Sequence, residues 1–103
     1  MNIVIRTYSG KGAKELFDLL EKRKTDVEKI MRSVKGFESY TLARSNEGGF
    51  SVTVCKDKTG IDESVQKAKD WIAKNAANLG AAAPKMATGT AFLHVGSRTL
   101  EHA

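Results

Sequence analysis

The sequence has few of the residues that cross-link a chain or restrict its backbone. It contains one cysteine, Cys55, and one proline, Pro84, among 103 residues. A single cysteine excludes an internal disulfide framework and a zinc site built from several cysteines, and it favours a reducing compartment. No apolar run approaches the about 20 residues of a membrane-spanning helix, and the N-terminus lacks the pattern of a secretory signal. These absences predict a cytoplasmic protein with no membrane contact.

The composition is that of one globular domain with a basic surface. Hydrophobic residues make up 41% of the chain, and 17 basic residues exceed 12 acidic ones, for a net charge of +5. Opposite charges recur four residues apart in the predicted helices, as in Glu28–Arg32 and Glu63–Lys67, so much of the charge is balanced locally. Since no long basic stripe remains, the sequence predicts no nucleic-acid partner.

Segments with the two-residue period of strands alternate with segments that have the 3.6-residue period of helices. In order, they are a strand at 2–8, a helix at 13–35, strands at 37–44 and 50–56, a helix at 62–79 and a strand at 90–95. The two middle strands flank a glycine-containing turn and predict a hairpin. Thr25 begins a capping-box pattern, so the first helix is predicted to bend or restart near it.

This βαββαβ order predicts an α+β fold of the ferredoxin-like type. We expect a four-stranded antiparallel sheet in the order 4-1-3-2, with both helices on one face. The domain would span residues 1–95. Residues 96–103 carry no core pattern and are predicted to form a flexible C-terminal tail.

Alternation along the strands assigns their side chains to two faces of the sheet. The face under the helices is predicted to carry Ile3, Ile5, Tyr40, Leu42, Phe50, Val52, Val54, Ala91, Leu93 and Val95. The opposite face is predicted to carry Val4, Arg6, Tyr8, Ser39, Thr41, Ser51, Thr53, Cys55, Phe92 and His94. A slip of one residue in any strand exchanges the two sets. The second set mixes apolar and polar groups, which predicts partial burial against a second copy of the chain.

Two segments, MRSVKGFESYTLARSNEGGFSVTVCKDKTG and DESVQKAKDWIAKN, together with the element order, resemble small bacterial proteins of the antibiotic-biosynthesis-monooxygenase-like group. The resemblance implies a homodimer whose sheets pair as a dimeric α/β barrel, with a small pocket in each subunit. Some members of that group oxidise polyaromatic substrates with dioxygen and no cofactor, others degrade haem, and many have no known activity. The quinone-forming members use an Asn, a Trp and an Arg. Here Trp71 has Lys67, not Asn, one turn before it and Asn75 one turn after it.

Trp71 and Asn75 lie on one flank of the second predicted helix. They predict a pocket wall in which the indole packs on an aromatic ligand and Asn75 donates a hydrogen bond. The alternative is a tryptophan at the edge of the core beside a solvated amide.

Arg6, Tyr8 and His94 are predicted to meet on the open side of the sheet, since the first and last strands are neighbours in this fold. An arginine binds a carboxylate or a developing oxyanion, and a histidine acts as an acid or base near neutral pH. The alternative is a set of hydrogen-bonded groups in a dimer interface. His94 and Cys55 lack the spacing of metal ligands, so the sequence predicts no metal site and no cofactor.

These features leave three functions open. The first is a homodimer that binds a small aromatic or apolar metabolite, with cofactor-independent oxidation as its enzymatic form. The second is a non-enzymatic dimeric scaffold or ligand-binding protein. The third is an RNA-binding module, which shares the strand order but needs exposed aromatic residues in a basic-Gly-aromatic signature that this third strand lacks.

Overall fold

A computed structural model describes residues 1–96. Its elements are β1 (Asn2–Ser9), α1 (Ala13–Lys22), α2 (Lys24–Arg32), β2 (Phe37–Ser45), β3 (Gly48–Cys55), α3 (Lys58–Asn75), a 3-10 turn (Ala77–Leu79) and β4 (Lys85–Thr90). The strands form one antiparallel sheet in the order β2-β3-β1-β4. This confirms the ferredoxin-like α+β fold and the order 4-1-3-2. None of the helices in residues 1–96 has the length and hydropathy of a membrane span. The tail predicted at 96–103 lies outside the described residues except for Gly96.

The first predicted helix is broken at Arg23, two residues before Thr25. Arg23 has φ −107° and ψ 24°, and its Nε donates a hydrogen bond to Asp26 at 2.8 Å. The break lets two short helices turn their apolar sides towards one core, with Leu16 of α1 and Met31 of α2 both almost fully buried.

In β1 the side chains point to the faces of the sheet opposite to those predicted from alternation. Val4, Arg6 and Tyr8 are buried under the helices, and Ile5, on the other face, is 38% exposed. The alternation itself is present, but its phase is shifted by one residue. Arg6 and Tyr8 therefore belong to the interior of the domain and not to its open side.

The side chains of β3 are shifted by one residue in the same way, because each residue of β3 faces the same side of the sheet as its partner in β1. Ser51 lies opposite Arg6 in the sheet, and both Ser51 and Thr53 are 1% exposed. Gly49 continues this series and lies directly against the ring of Phe17 in α1. The helices pack closely on β3, so the small side chains face them and the larger Phe50 turns away. The assignment of Tyr40 and Leu42 in β2 to the helix side agrees with their packing in the core.

The sheet therefore has an open face that is more apolar than predicted. By the register of the four strands this face carries Ile3, Ile5, Thr7, Ser39, Thr41, Ala43, Phe50, Val52, Val54, Lys85, Ala87 and Gly89. Lys85, which lies opposite Thr7 at the edge of the sheet, is the one charged side chain in this set. This set of residues is the open face of the sheet.

The last strand lies five residues earlier than predicted. β4 runs from Lys85 to Thr90 and pairs with β1, so the strand predicted at 90–95 is wrong. β4 ends at Thr90 because β1 offers no further residues to pair with. Thr90 lies opposite Asn2, and only the hydrogen bond from Ala91 N to the Met1 carbonyl, at 2.9 Å, extends the ladder. Residues 92–95 consequently belong to neither face of the sheet.

Candidate functional site

A small cavity lies between the sheet and the three helices. Its volume is about 20 Å³, enough for about one water molecule. Three of its lining residues carry polar heads, namely Arg6, Tyr8 and Tyr40, and Trp71 of α3 forms an aromatic wall. The remaining walls are apolar side chains from all three helices and from β2.

Arg6 is the charged residue of this cavity. It is 5% exposed, and its Nε is buried without a hydrogen-bond partner. Within residues 1–96, no carboxylate forms an ion pair with it. An unpaired charge removed from water costs several kcal/mol unless another group compensates it. The Nε of this buried guanidinium therefore lacks an oxygen acceptor, although the Tyr8 hydroxyl lies close enough to interact with the side chain.

Two tyrosines share the environment of Arg6. Burial raises the pKa of both Tyr8 and Tyr40, and the positive charge of Arg6 opposes that rise in each case. The ring of Tyr8 packs edge-on against Phe17, with the ring centroids 5.8 Å apart. At neutral pH the site thus contains one cation and two neutral phenols between apolar walls.

The raised pKa values predict a loss of stability in alkali. Above about pH 10, the usual pKa of tyrosine, the unfolded chain releases phenol protons that the folded chain retains at Tyr8 and Tyr40. The unfolded state then binds fewer protons, so the free energy of unfolding falls by up to about 1.4 kcal/mol per pH unit for each tyrosine. Urea unfolding from about pH 8 to about pH 11 measures this slope. Lysine titration affects wild type and Tyr40→Phe alike, so a slope equal in the two proteins would contradict the assignment.

Trp71 separates the cavity from the outside of the helix layer. It is 8% exposed and lines both the cavity and an outer groove of about 640 Å³ between α2 and α3. On the outer side the guanidinium of Arg23 lies 5.8 Å from the centre of the indole ring, within the range of a cation–π contact. The predicted role of Trp71 as a pocket wall is compatible with this position.

Asn75 lies in the outer groove and does not line the cavity. Its Nδ2 donates a hydrogen bond to the carbonyl of Trp71 at 2.9 Å. The structure therefore separates the predicted Trp71–Asn75 pair, since the indole borders both spaces and the amide only the outer one.

The structure does not bring His94 to Arg6 and Tyr8. His94 is exposed and follows the end of β4, whereas Arg6 and Tyr8 lie under the helices. The grouping of the three on the open side of the sheet is wrong, because β4 ends at Thr90 and β1 has the opposite phase. Tyr40, and not His94, is the third polar residue that lines the cavity with Arg6 and Tyr8. Sequence reasoning missed Tyr40 because it assigned Arg6 and Tyr40 to opposite faces of the sheet.

Residues 1–96 contain no group of three or more His, Cys, Asp or Glu side chains that would hold a metal ion. Cys55 is fully buried, and burial raises the pKa of its thiol. A thiol in that state behaves as a small apolar side chain.

Solved structures share this fold over nearly the whole chain. MhuD of Mycobacterium tuberculosis, a haem degrader with two haems bound in its active site, is 22% identical, with a TM-score of 0.65 over 93% of this chain and 100% of that one. A monooxygenase from the gene ActVA-Orf6 of Streptomyces coelicolor, in complex with nanaomycin D, is 18% identical, with a TM-score of 0.60 over 93% and 90%. A dimeric ferredoxin-like protein from an uncultured marine organism is 10% identical, with a TM-score of 0.65 over 93% and 96%.

Sequence comparison adds nothing to this, since no protein-family model and no curated protein matches the chain. The likeness in structure shows that the chain has the ferredoxin-like fold of the antibiotic-biosynthesis-monooxygenase-like proteins, as the sequence resemblance implied.

Proposed function

We propose that this protein is a homodimer that binds a small aromatic molecule with an oxyanion or an ionisable hydroxyl group in the cavity beneath α2 and α3. One observation carries the proposal: the guanidinium of Arg6 is 5% exposed and its Nε has no partner. An oxygen acceptor on a ligand would supply the missing hydrogen bond, and a charge-assisted bond in a water-poor cavity is strong.

The walls of the cavity determine what else the ligand must be. Trp71, Tyr8 and Tyr40 offer aromatic surfaces around Arg6, and aromatic rings pack well against one another in stacked or edge-on arrangements. A planar ring with one oxyanion fits this combination, because its ring contacts the walls while its oxygen reaches the guanidinium.

A ligand larger than water requires α2 to move. This helix has nine residues, of which Val27 and Met31 are buried. It is bordered by a groove of about 470 Å³ on the side of β2 and by the groove of about 640 Å³ on the side of α3. Val27 and Met31 line both the cavity and the groove beside β2. Displacing these two side chains would join the two spaces and enlarge the cavity.

Oxidation by dioxygen without a cofactor is the reaction that this site supports. A bound phenol would lose its proton and be held as the phenolate by Arg6, which stabilises the anion that reacts with dioxygen. Overall, a ring C–H para to the phenol becomes a second carbonyl. One oxygen atom enters the quinone, the other leaves as water with the phenol proton and the ring hydrogen, and the substrate supplies the four electrons. Binding without reaction is the alternative, and oxygen consumption distinguishes the two.

Haem, which MhuD binds, fits the cavity poorly. The lining residues include neither histidine nor cysteine, which are common haem ligands. Tyr8 and Tyr40 would have to ionise to bind ferric iron, and burial raises the pKa of both. The proposal therefore contains no haem chemistry.

The homodimer is supported by the open face. A sheet face that stays in water normally carries polar side chains, whereas this one is apolar at its centre, where Ile5 is 38% exposed, and its one charged side chain, Lys85, lies at the edge. Contiguous apolar surfaces of this kind mark contacts between proteins. Pairing of two open faces is equally consistent with a dimeric scaffold, so the ligand experiment must be independent of the oligomeric state.

Trp71 is the single tryptophan of the chain, so its fluorescence reports on the cavity and on the outer groove that the indole also borders. We expect 1-naphthoate to quench or shift this fluorescence saturably, and to bind about tenfold more tightly than the neutral 1-naphthamide, which offers Arg6 no anion. Asn75→Ala is the control, because Asn75 lies outside the cavity and its loss should leave the titration unchanged. Calorimetry on wild type provides a second readout. Absence of saturable binding by both methods would overturn the proposal.

A further inference from the structure

Two buried side-chain polar atoms in residues 1–96 have no hydrogen-bond partner, and they belong to neighbouring residues. They are Nε of Arg6 and Oγ of Ser51, in residues that are 5% and 1% exposed. Buried polar groups in folded proteins nearly always have a partner, so an unpaired one requires an explanation. The cavity and the proposed function involve Arg6, but neither explains Ser51.

The register of the sheet places the two residues side by side. Arg6 of β1 and Ser51 of β3 lie directly opposite each other, and residues paired in this way have Cβ atoms about 4.5–5.5 Å apart. On its other side Ser51 lies opposite Leu42 of β2. Arg6 and Leu42 both line the cavity. Ser51 therefore lies in the sheet between two residues of the cavity wall.

The Ser51 hydroxyl contributes no bond to the ligand-free fold. A second buried serine, Ser64 of α3, is 0% exposed, and its Oγ donates a hydrogen bond to the carbonyl of Ile61 at 2.7 Å. The Oγ of Ser51 has no such partner and does not pair with Arg6 either. Its burial therefore costs free energy of desolvation that no hydrogen bond offsets.

We infer that Ser51 is a second donor to the oxyanion of the ligand, beside Arg6. This inference rests on the proposed function and specifies how the same site recognises an anion. The Nε–H of Arg6 and the Oγ–H of Ser51 are both donors, so one oxygen acceptor between them satisfies both atoms. The serine hydroxyl turns about χ1 among staggered rotamers and can follow the position of that oxygen.

Two donors on adjacent strands define the orientation of the ligand. The ligand-free cavity does not reach Ser51, so the oxygen must approach the sheet after Val27 and Met31 have been displaced as proposed above. The ring of the ligand then extends from the sheet towards Trp71 of α3. Aromatic carboxylates and phenolates fit this arrangement, because each carries its anionic oxygen at the edge of a planar ring and accepts charge-assisted hydrogen bonds there.

Calorimetric titration of Ser51→Ala with 1-naphthoate and with neutral 1-naphthamide tests the inference. Removing the hydroxyl takes a charge-assisted bond from the carboxylate but only a weaker neutral bond from the amide. We expect the affinity for 1-naphthoate to fall about tenfold and that for 1-naphthamide about threefold, so the preference for the anion narrows from about tenfold to about threefold. Ser64→Ala is the matched control, because it removes a buried serine hydroxyl that is bonded within α3 and does not line the cavity. It should leave both affinities unchanged.

Thermal unfolding separates a binding role of Ser51 from a structural one. Because the hydroxyl has no partner in the ligand-free protein, Ser51→Ala should have a Tm at least equal to that of wild type. A lowered Tm with an unchanged preference for 1-naphthoate would show that Ser51 is a structural residue and would overturn the inference. Tighter binding of 1-naphthoate by Ser51→Ala would overturn it as well, because Ser51 would then compete with the ligand for Nε of Arg6.

The outcomes also separate this inference from the proposed function. Absence of saturable binding by wild type would overturn both together. If wild type prefers 1-naphthoate and Ser51→Ala retains the whole of that preference, the inference alone is overturned, and Arg6 remains the anchor of the anion.

Discussion

Replacing Arg6 with methionine is expected to make the protein more stable and to weaken its binding of aromatic anions. The two effects have one cause. The Arg6 guanidinium is buried with an unpartnered Nε, so the ligand-free fold bears the cost of desolvating a charge. Methionine fills similar space without a charge. We expect the free energy of unfolding to rise by about 1–3 kcal/mol and the affinity for 1-naphthoate to fall about 100-fold, as for a lost charge-assisted hydrogen bond.

The measurements are urea unfolding and calorimetric titration. Arg32→Met is the control: Arg32 is an exposed arginine of α2 whose partner is Glu28 at 2.8 Å, and surface pairs of that kind contribute little. Arg6→Lys keeps a positive charge and should retain part of the affinity for the anion. A destabilised Arg6→Met protein that binds 1-naphthoate as tightly as wild type would show that Arg6 is a structural residue and not the anion anchor.

The order of the elements and the layout of the sheet could be predicted from the sequence because each depends on local signals. The apolar stripe of residues 13–35 and the glycine-containing turn before Phe50 are strong patterns. Once βαββαβ is established, the rules for crossovers leave few topologies. The capping pattern at Thr25 even located the break between α1 and α2 to within two residues.

The faces of the central strands could not be predicted in the same way. In β1 both alternating sets contain apolar residues, since Ile3 and Ile5 compete with Val4 and Tyr8 for the core. Hydrophobicity alone would place the isoleucines in the core, but the shape of the space under the helices determines which set of side chains is buried. That space also accommodates Arg6, which a sequence pattern assigns to solvent. The structure brings Arg6, Tyr8 and Trp71 together in one cavity, but the sequence pattern placed Arg6 and Tyr8 on the wrong side of the sheet, and their role in binding a ligand stays a prediction.

The last strand was misplaced because its end depends on another element. The residues of β4, Lys85 to Thr90, include Ala87 and Gly89, which have weak strand propensity. Residues 91–95 have the stronger propensity, but β1 offers them no partner. A strand needs a neighbour at every residue, and the length of that neighbour is not encoded locally.

The phase of β3 can be tested with one methyl group. An alanine Cβ at Gly49 would lie 2.6 Å from the carbonyl oxygen of Ala43 and would overlap the ring of Phe17. Moving backbone atoms aside costs more energy than rotating a side chain. We therefore expect Gly49→Ala to lower the free energy of unfolding by about 3 kcal/mol or more, which lowers Tm by about 12 °C or more. Gly89→Ala is the matched control, because its Cβ meets nothing within 4 Å, and it should change stability by less than about 0.5 kcal/mol.

A second substitution shows whether the α1 helix causes the effect. Phe17→Leu removes part of the ring that presses on Gly49, so its cost and that of Gly49→Ala should be less than additive in the double variant, as expected for residues in contact. Thermal and urea unfolding of the four proteins measure this coupling. If Gly49→Ala were as stable as Gly89→Ala, then Gly49 would not face α1. In that case β3 would carry Phe50 and Val52 towards the helices, and Arg6, which lies opposite Ser51 in the register, would point away from the cavity on which the proposed function depends.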